Sequence, residues 1–442
     1  MMAESANDRR WRAFGATAHD PRTIREYWQS SWRVGYIVRS QSAGAFSTIL
    51  AECQAGTGRN PVPHPAMTSP PSTKMSIPFF RYPHVFAQQR DEILAAMTEV
   101  MDRGAFILQS DLVEFETALA GFTGAKYAVG VANGTDALSM CLKVAGIGPG
   151  DEVIVPSHTY VASPASIHFS GATPVLVECG PDHMVNPGSV DAAVTSRTAA
   201  IMPVQLNGRT CDMDAIGAIA DRHGLLIVED AAQALGSKFK GRNAGTFGNA
   251  AAFSFYPAKL LGCFGDGGAI TTDDAETARK LSLLRDHGRD ETGLVVDWGI
   301  NSRLDNLNAA ILNVKFRRLE SEIERRRELA RMYRDGLQEI DDLVLPCGPD
   351  NDPDHFDVYQ NYEIESSRRD ELRSFLEREG IRTIIQWAGK AVHQFEGLGF
   401  EGTHLPYTEQ MFTRCFLLPM NTSLTNEELE YICDRIRKFY AS

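Results

Sequence analysis

The central part of the chain alternates short apolar runs with stretches whose apolar residues recur at helical spacing. The apolar runs predict strands at residues 127–131, 153–155, 174–177, 199–204 and 225–228, and the periodic stretches predict helices at 135–144, 161–169 and 213–223. Strands that alternate with helices are typical of a mostly parallel sheet with right-handed crossovers and helices on both faces. The pattern therefore predicts an α/β fold.

The segments on either side of this region are helical or mixed. Helical spacing predicts helices at 88–103 and 111–122, and a longer helix at 305–334 that becomes rich in charge. The remaining pattern predicts a strand at 358–364, a helix at 370–379, a short strand at 383–385 and a last helix opened by a capping box of Thr425 and Glu428. We therefore predict a large domain at 75–315 and a smaller C-terminal α+β domain at 316–442.

One lysine, Lys259, lies in an unusual place, between an apolar run and a turn with four glycines. No charged residue follows it until Asp266, whereas surface lysines usually lie among other charges. A low-charge environment lowers the pKa of an ammonium group, and a neutral amine can form a Schiff base with a carbonyl. Lys259 alone is compatible with a cofactor-carrying lysine or with an ordinary loop lysine.

Asp230 favours the first of these two alternatives, a cofactor-carrying lysine. It follows the aliphatic run 225–228, at the carboxyl end of a predicted buried strand, where open α/β sheets place ligands. In enzymes that use pyridoxal phosphate (PLP), an acidic residue pairs with the pyridine nitrogen while a lysine carries the aldehyde. Asp230 could instead cap a helix. Together, Asp230 and Lys259 favour a PLP site over either residue considered alone.

Five segments, at 133–138, 150–156, 229–234, 254–259 and 299–304, resemble the DegT/DnrJ/EryC1/StrS family of PLP-dependent sugar aminotransferases. They occur in the family's order, and the resemblance covers most of the chain from Met75 onward. The resemblance implies a fold-type I PLP-dependent transferase, with a large domain built on the parallel sheet and a smaller C-terminal domain. It also implies that Lys259 and Asp230 are the catalytic pair.

The resemblance extends to residues that would bind the cofactor. Gly134 and Thr135 lie where a strand turns into a helix, and free amides at a helix start attract phosphate, although Asn133 or Thr135 could serve only as a cap. Ser254 matches a family serine that donates to that phosphate. Tyr160 is the candidate for stacking on the pyridine ring, or else packs in the core.

Two more residues complete the predicted site. Gln233, one helical turn after Asp230, could reach the ring hydroxyl. Asn301 matches a family residue that reaches the partner's cofactor phosphate, which implies a homodimer with shared active sites, although a loop asparagine in a turn is the alternative. No metal ligand set is predicted.

The resemblance is incomplete in two places. The family's Val-His-Leu-Tyr-Gly-like stretch is Val-Gln-Leu-Asn-Gly at 204–208, so a His and an aromatic residue are replaced and any substrate role of that loop is in doubt. The stretch 386–394 combines Trp387, Lys390 and His393 near the family's substrate side. Structural use of each of these residues is as plausible as contact with substrate.

Residues 1–74 differ from the rest in their Arg- and Trp-containing start and a Gly/Ser/Pro/Thr-rich stretch. We predict a largely disordered extension, with Met75 as the functional start because the resemblance begins there. An Arg-rich targeting or docking segment is the alternative.

The resemblance implies transfer of an amino group from an amino acid, glutamate by analogy, to a nucleotide-linked keto sugar, for cell-surface polysaccharide or deoxyamino-sugar biosynthesis. Lys259 would carry PLP and then move the substrate proton. In the family's dehydratase branch this lysine is a histidine, so its presence favours transamination. A PLP-binding regulatory protein without turnover stays open, and another lysine-PLP enzyme such as a desulfurase or decarboxylase is disfavoured by the ordered motifs.

The composition excludes several classes of binding partner and site. The formal net charge of −13 argues against a general nucleic-acid or anionic-membrane binder, and no apolar run reaches the roughly 18 residues of a membrane helix. The eight cysteines form no CxxC pair, so neither a zinc cage nor a disulfide framework is indicated. We expect a cytoplasmic protein.

Overall fold

The mostly parallel sheet expected from the alternating pattern is present in the computed structural model, which describes residues 74–442. The strands are β1 Tyr127–Val131, β2 Glu152–Pro156, β3 Thr173–Val177, β4 Thr198–Ile201, β5 Leu226–Asp230, β6 Lys238–Phe239, β7 Arg242–Asn243, β8 Ala250–Ser254, β9 Gly268–Thr272, β10 Leu343–Val344, β11 His355–Phe356, β12 Tyr362–Ser366 and β13 Cys415–Leu418. The helices are α1 Tyr82–Gln88, α2 Arg90–Arg103, α3 Ser110–Thr123, α4 Gly134–Val144, α5 Ala162–Ser170, α6 Pro187–Ala192, α7 Met213–His223, α8 Ala275–Leu284, α9 Asn306–Phe316, α10 Leu319–Leu337, α11 Arg369–Arg378, α12 Pro406–Arg414 and α13 Asn426–Ala441, with 3-10 turns at Gln386–Gly389 and Val392–Gln394.

The central sheet has seven strands in the order β1-β9-β8-β5-β4-β2-β3. The five strands from β8 to β3 pair in parallel, and β9 pairs antiparallel with both β8 and β1. Strands β2 and β9 are buried along their whole length, as expected for a sheet covered by helices on both faces. The predicted fold class is therefore confirmed, and the parallel arrangement gathers the carboxyl ends of β2, β4, β5 and β8 at one edge.

Two strands are shorter in the structure than in the prediction. The strand predicted at 199–204 ends at Ile201, because Pro203 has no backbone N–H to continue the ladder. The strand predicted at 358–364 begins only at Tyr362, because Tyr359 has a left-handed backbone (φ 49°) that interrupts the extended chain.

Two other predictions need correction. The strand predicted at 383–385 is a single bridge between Ile384 and Leu417, because the chain turns immediately afterwards. The helix predicted at 305–334 is two helices, broken at Arg317 and Arg318. Helix α9 packs against α2 and α3, whereas α10 packs against α13, and the break redirects the chain from one set of partners to the other.

A second apolar core lies between helices α10, α11 and α13 and the sheet β10-β12-β13, and Ile77, which forms a bridge with Ile381, is buried in it as well. The division into domains at 75–315 and 316–442 stays a prediction, and the prediction of a disordered extension lies outside the described residues. Among the helices of residues 74–442, none combines the length and apolar content needed to span a bilayer.

Gly208 joins the loop after β4 to the segment that leads into β12. Its carbonyl accepts a hydrogen bond from the Val358 amide at 2.8 Å. A Cβ at Gly208 would lie 2.5 Å from the Gln360 nitrogen and 2.6 Å from the Tyr359 nitrogen, and its φ of 93° also disfavours side chains. Only glycine fits this contact between the central sheet and the C-terminal segment.

Candidate active site

A cavity of about 680 Å³ lies at the edge where the parallel strands end. Its walls come from the loops that follow β1, β2, β4, β5 and β8, and from the segment 360–361 and the turn at Gln386–Gly389. Seven of the eight predicted site residues line it, namely Gly134, Thr135, Tyr160, Asp230, Gln233, Ser254 and Lys259. Residues that lie up to 125 positions apart in the chain (259 − 134) are thus brought to one space.

Lys259 lies in the turn after β8, and its backbone is held from both sides by one side chain. Gln360 accepts a hydrogen bond from the Leu260 amide (2.6 Å) and donates one to the Ala258 carbonyl (2.8 Å). Burial lowers the pKa of the Lys259 amine to about 8, against the opposing effect of the Asp230 charge. About a tenth of the amine is therefore neutral at pH 7, far more than for an ordinary lysine, and the neutral form is the one that can attack a carbonyl.

Asp230, the last residue of β5, is only 5% exposed. Its carboxylate accepts hydrogen bonds from the Ser163 hydroxyl (2.7 Å) and the Ala232 amide (3.1 Å). Burial raises the pKa of Asp230, and the hydrogen bond from Ser163 and the charge of Lys259 offset part of that effect. These interactions offset only part of the cost of burying the carboxylate, so Asp230 is suited to a cationic partner within the cavity.

The start of helix α4 forms a tight cradle against β8. The Asn133 side chain caps the helix by accepting from the Asp136 amide at 2.8 Å, so the cap predicted here is present. The amides of Gly134 and Thr135 have no hydrogen-bond partner among the described residues, as expected for the first turn. A Cβ at Gly134 would lie 2.9 Å from the Ser254 Cβ, so the helix start and Ser254 are in direct contact. Unpaired amides beside a hydroxyl suit a phosphate dianion.

The two remaining cavity residues have different surroundings. Tyr160 follows β2 and is 56% exposed, so it does not pack in the core. Gln233 is fixed through its carbonyl oxygen, which accepts from the Asn207 amide at 2.9 Å and from the Asn361 side chain at 3.2 Å. Its NH₂ group has no hydrogen-bond partner among the described residues, so it is available to a ligand.

Asn301 is the predicted residue that does not line the cavity. It is exposed and forms an isolated bridge with Asp286. The neighbouring Ser302 donates to the Asp136 carboxylate (2.7 Å) and accepts from the Ala132 amide (3.2 Å), so this segment is tied to the start of α4. Its predicted reach to a partner's phosphate stays a prediction.

The sequence profile of the DegT/DnrJ/EryC1/StrS aminotransferase family matches residues 87–437. The chain belongs to this family. The predicted family membership is thus confirmed.

Among its relatives, the "pleiotropic regulatory protein" of Geobacillus stearothermophilus is 40% identical over 83% of this chain and 99% of its own length. The dTDP-3-amino-3,4,6-trideoxy-alpha-D-glucose transaminase of Streptomyces venezuelae is 42% identical over 82% and 96%. Among solved structures, S. venezuelae DesV in complex with a ketimine intermediate has a TM-score of 0.80 and 41% identity over 83% and 99% of the two chains. The NtdA protein of Bacillus subtilis with bound cofactor PMP has a TM-score of 0.77 and 28% identity over 83% and 86%.

Three residues at the site, one behind the cavity and two that line it, belong to no family motif in the sequence. Ser163, which holds Asp230, lies one helical turn after Thr159, and that spacing after a strand end is its only sequence signal. Gln360 and Asn361 line the cavity from just before β12, and no local pattern singles them out.

The sequence left the substrate role of two stretches open, 386–394 and 204–208. Each contains residues that line the cavity and residues that do not. Gln386 and Trp387 line the cavity. His393 has a structural use instead, since its Nδ1 is hydrogen-bonded to the Ser157 hydroxyl (2.7 Å) and its Nε2 to the Glu409 carboxylate (3.1 Å). In the loop 204–208, Val204 and Leu206 line the cavity and the Asn207 side chain lies behind its wall.

Proposed function

We propose that this protein is a PLP-dependent aminotransferase that moves an amino group from an amino acid, glutamate, to a nucleotide-linked keto sugar. The observation that carries the proposal is the shared cavity of Lys259 and Asp230, with the helix start at Gly134 and Thr135 lining the same space. The sugar-transaminase relative at 42% identity supports the substrate class. Such a product suits cell-surface polysaccharide or deoxyamino-sugar biosynthesis in the cytoplasm.

The cavity residues fit PLP group by group. Lys259 would hold the aldehyde carbon, Asp230 the ring nitrogen, and Tyr160 the face of the ring. Gly134, Thr135 and Ser254 would bind the phosphate, because two free amides and a hydroxyl meet there. Gln233 would donate its free NH₂ group to the ring hydroxyl. When bound, the cofactor supplies an electron sink for the carbanion that forms on the substrate.

The chain's own residues then handle the proton. The neutral amine of Lys259 accepts the proton that the amino donor releases from its α-carbon, and later delivers a proton to the carbon of the keto sugar that is aminated. A base placed in this way accelerates a reaction by about 10²–10⁴-fold. Asp230, oriented by Ser163, would accept a hydrogen bond from the ring N–H and so favour the protonated ring nitrogen.

We also propose a homodimer in which Asn301 of one protomer completes the other protomer's phosphate site. Asn301 is exposed and tied through Ser302 to the helix start of its own protomer. A sedimentation measurement that gives a monomer for the cofactor-loaded protein would contradict this assembly.

The test of the function is Lys259→Ala. We expect loss of the visible absorbance of the lysine-bound cofactor and loss of product in mass spectrometry after incubation with glutamate and a panel of nucleotide-linked keto sugars. Lys315→Ala is the matched control, because burial lowers the pKa of Lys315 to about 8 as well, yet Lys315 does not line this cavity. Retained absorbance and turnover in the Lys259 variant would refute the assignment.

A PLP-binding regulatory protein is the second candidate, favoured by the name of the Geobacillus relative. The net charge of −13 disfavours direct DNA binding. Salt-dependent binding to promoter fragments, without turnover of any keto sugar in the panel, would favour this candidate over the enzyme.

A further inference from the structure

One wall of the cavity contains a cluster of four side-chain amides that we call the amide cluster, made of Asn207, Gln233, Asn361 and Gln386. Three of its members line the cavity, and Asn207 lies behind them. The four residues come from the loop after β4, the loop after β5, the segment just before β12 and the turn at Gln386–Gly389. Every amide could in principle face either way, so the cluster's chemistry depends on what fixes its orientation.

Glu363 supplies that fixed point. It is 3% exposed and does not line the active-site cavity, but it accepts hydrogen bonds from the Asn207 NH₂ group (2.8 Å) and the Gln386 NH₂ group (3.1 Å). A carboxylate has no hydrogen to donate, so both amides must turn their NH₂ groups towards it.

Two histidines keep Glu363 ionised. Burial alone would raise the pKa of its carboxyl, but the charge of His158, 3.5 Å away, and the hydrogen bond and charge of His183 hold that pKa far below its usual range. His183 places one ring nitrogen 2.8 Å from Glu363 and the other 3.1 Å from Glu365. Since both nitrogens face carboxylate oxygens, each carries a proton and the ring is a cation.

The orientation then passes through the cluster. With its NH₂ group on Glu363, Asn207 presents its carbonyl oxygen to the NH₂ groups of Asn361 (2.9 Å) and Gln386 (3.2 Å). The Asn361 NH₂ group also donates to the Gln233 carbonyl at 3.2 Å. The carbonyl oxygens of Gln386 and Asn361 are left without a hydrogen-bond partner among the described residues, and both residues line the cavity.

We infer that Glu363 is a positioning residue that turns the Gln386 and Asn361 carbonyls towards the cavity, and that these acceptors select a neutral, hydroxyl-bearing sugar over a sugar acid. Hydroxyl groups donate to carbonyl oxygens, whereas a carboxylate would meet two further acceptors. Lys259 is the sole cation among the described residues that line the cavity. This inference rests on the proposed function, since it describes the acceptor substrate of the same site.

The test measures binding by calorimetry to the full-length, cofactor-loaded protein. The ligands are matched pairs of glucose and glucuronate conjugates of uridine, thymidine, guanosine and cytidine diphosphate, which lack the reactive ketone. We expect the wild type to bind the glucose member of its preferred pair at least about tenfold more tightly, the ordinary worth of one polar contact made or left unpaired. Binding of no glucose conjugate, or an equal or greater affinity for glucuronate, would overturn the inference.

Glu363→Gln tests the positioning step. A neutral amide can donate as well as accept, so the cluster loses its fixed orientation and the preference should fall below about threefold. Glu365→Gln is the matched control, with the same change on the same buried strand and the same contact with His183 but no amide partner, and it should keep the wild-type preference. An unchanged preference in the Glu363 variant, or an equal loss in the control, would overturn the inference.

Gln386→Met provides a second variant if Glu363→Gln does not fold. It keeps the side-chain length but removes the carbonyl, and it should weaken binding of the glucose conjugate about tenfold while the cofactor absorbance is unchanged. Wild-type affinity in this variant would count against the inference.

A separate experiment distinguishes failure of this inference from failure of the proposed function. It measures the change in cofactor absorbance when glutamate is added without sugar. If glutamate causes no absorbance change in the wild type, the proposed function is wrong. If it does cause the change, but the preference for glucose conjugates is the same in Glu363→Gln as in the wild type, only the inference is wrong.

Discussion

Two walls of the cavity are built by different means. One, which we call the strand-end wall, consists of Gly134, Thr135, Asp230, Ser254 and Lys259, and each residue lies at or just after the end of a sheet strand. The other is the amide cluster, whose members are joined by side-chain hydrogen bonds between residues up to 179 positions apart. Backbone topology places the first wall, whereas one buried anion orients the second. Substitutions should therefore affect chemistry at the first wall and selectivity at the second.

The largest effect is expected at Asp230. In Asp230→Ala the ring nitrogen loses its anionic partner, and turnover should fall by the order of 10²–10³-fold, the usual loss for one preorganised electrostatic group. Steady-state kinetics with glutamate and the keto sugar would measure this. Asp266→Ala removes another carboxylate that lines the same cavity, and a loss below about tenfold is expected there. Equal losses in both variants would mean that Asp230 has no special role.

Gly134 tests the backbone origin of the strand-end wall. The Cβ of Gly134→Ala would lie 2.9 Å from the Ser254 Cβ, so the helix start must shift, at a cost of roughly 1–3 kcal/mol in cofactor binding. Fluorescence titration of the cofactor-free protein with PLP would give the dissociation constant. Gly217→Ala is the control, because that helical glycine has no atom within 4 Å of its Cβ position, and its PLP affinity should not change.

Gln360 connects the two walls, since it comes from the segment that carries Asn361 and holds the backbone on both sides of Lys259. Gln360→Ala leaves the Leu260 amide without its acceptor, which should lower the free energy of unfolding by about 1–3 kcal/mol and slow PLP capture. Urea denaturation and stopped-flow absorbance would measure the two effects. Gln394→Ala removes a similar bond to the Ala391 amide, away from Lys259, and should change stability alone.

The smallest expected effect concerns pH. Burial lowers the pKa of Lys259 to about 8, and the neutral amine, which attacks the aldehyde, predominates above that pKa. The rate of PLP capture by the cofactor-free protein should therefore rise roughly tenfold between pH 7 and pH 9 and level off above it. A rate that still rises steeply at pH 10 would mean an amine with an ordinary pKa.

The sequence was most informative about the strand-end wall. Alternating apolar runs predict the parallel strands, and because ligands bind at the carboxyl ends of such strands, Asp230 and Lys259 are expected in one site. The amide cluster was not predictable, because hydrogen bonds among Asn207, Asn361 and Gln386 leave no periodic signal. The replacements at 204–208 made a substrate role doubtful, yet in the structure Asn207 bonds to Glu363 and so joins the wall to its anion.

Local backbone conformation explains why the predicted ends of two strands were wrong. Pro203 ends β4 early, and the left-handed backbone of Tyr359 delays the start of β12. Asn301 lies outside the cavity for another reason. Its predicted contact is with the cofactor phosphate of a second protomer, so it need not line the cavity of its own.

The contact at Gly208 resists separation of the C-terminal segment from the central sheet. Since the Val358 amide is bonded to the Gly208 carbonyl, and no side chain fits at that point, the C-terminal sheet cannot swing away from the central sheet without breaking the main-chain bond. As long as this bond is kept, substrates would enter and leave through an opening that is already present in the structure. Tyr160 and Tyr256, which line the cavity and are 56% and 52% exposed, mark that doorway, so bulk added beside them should slow product release before it alters the chemistry.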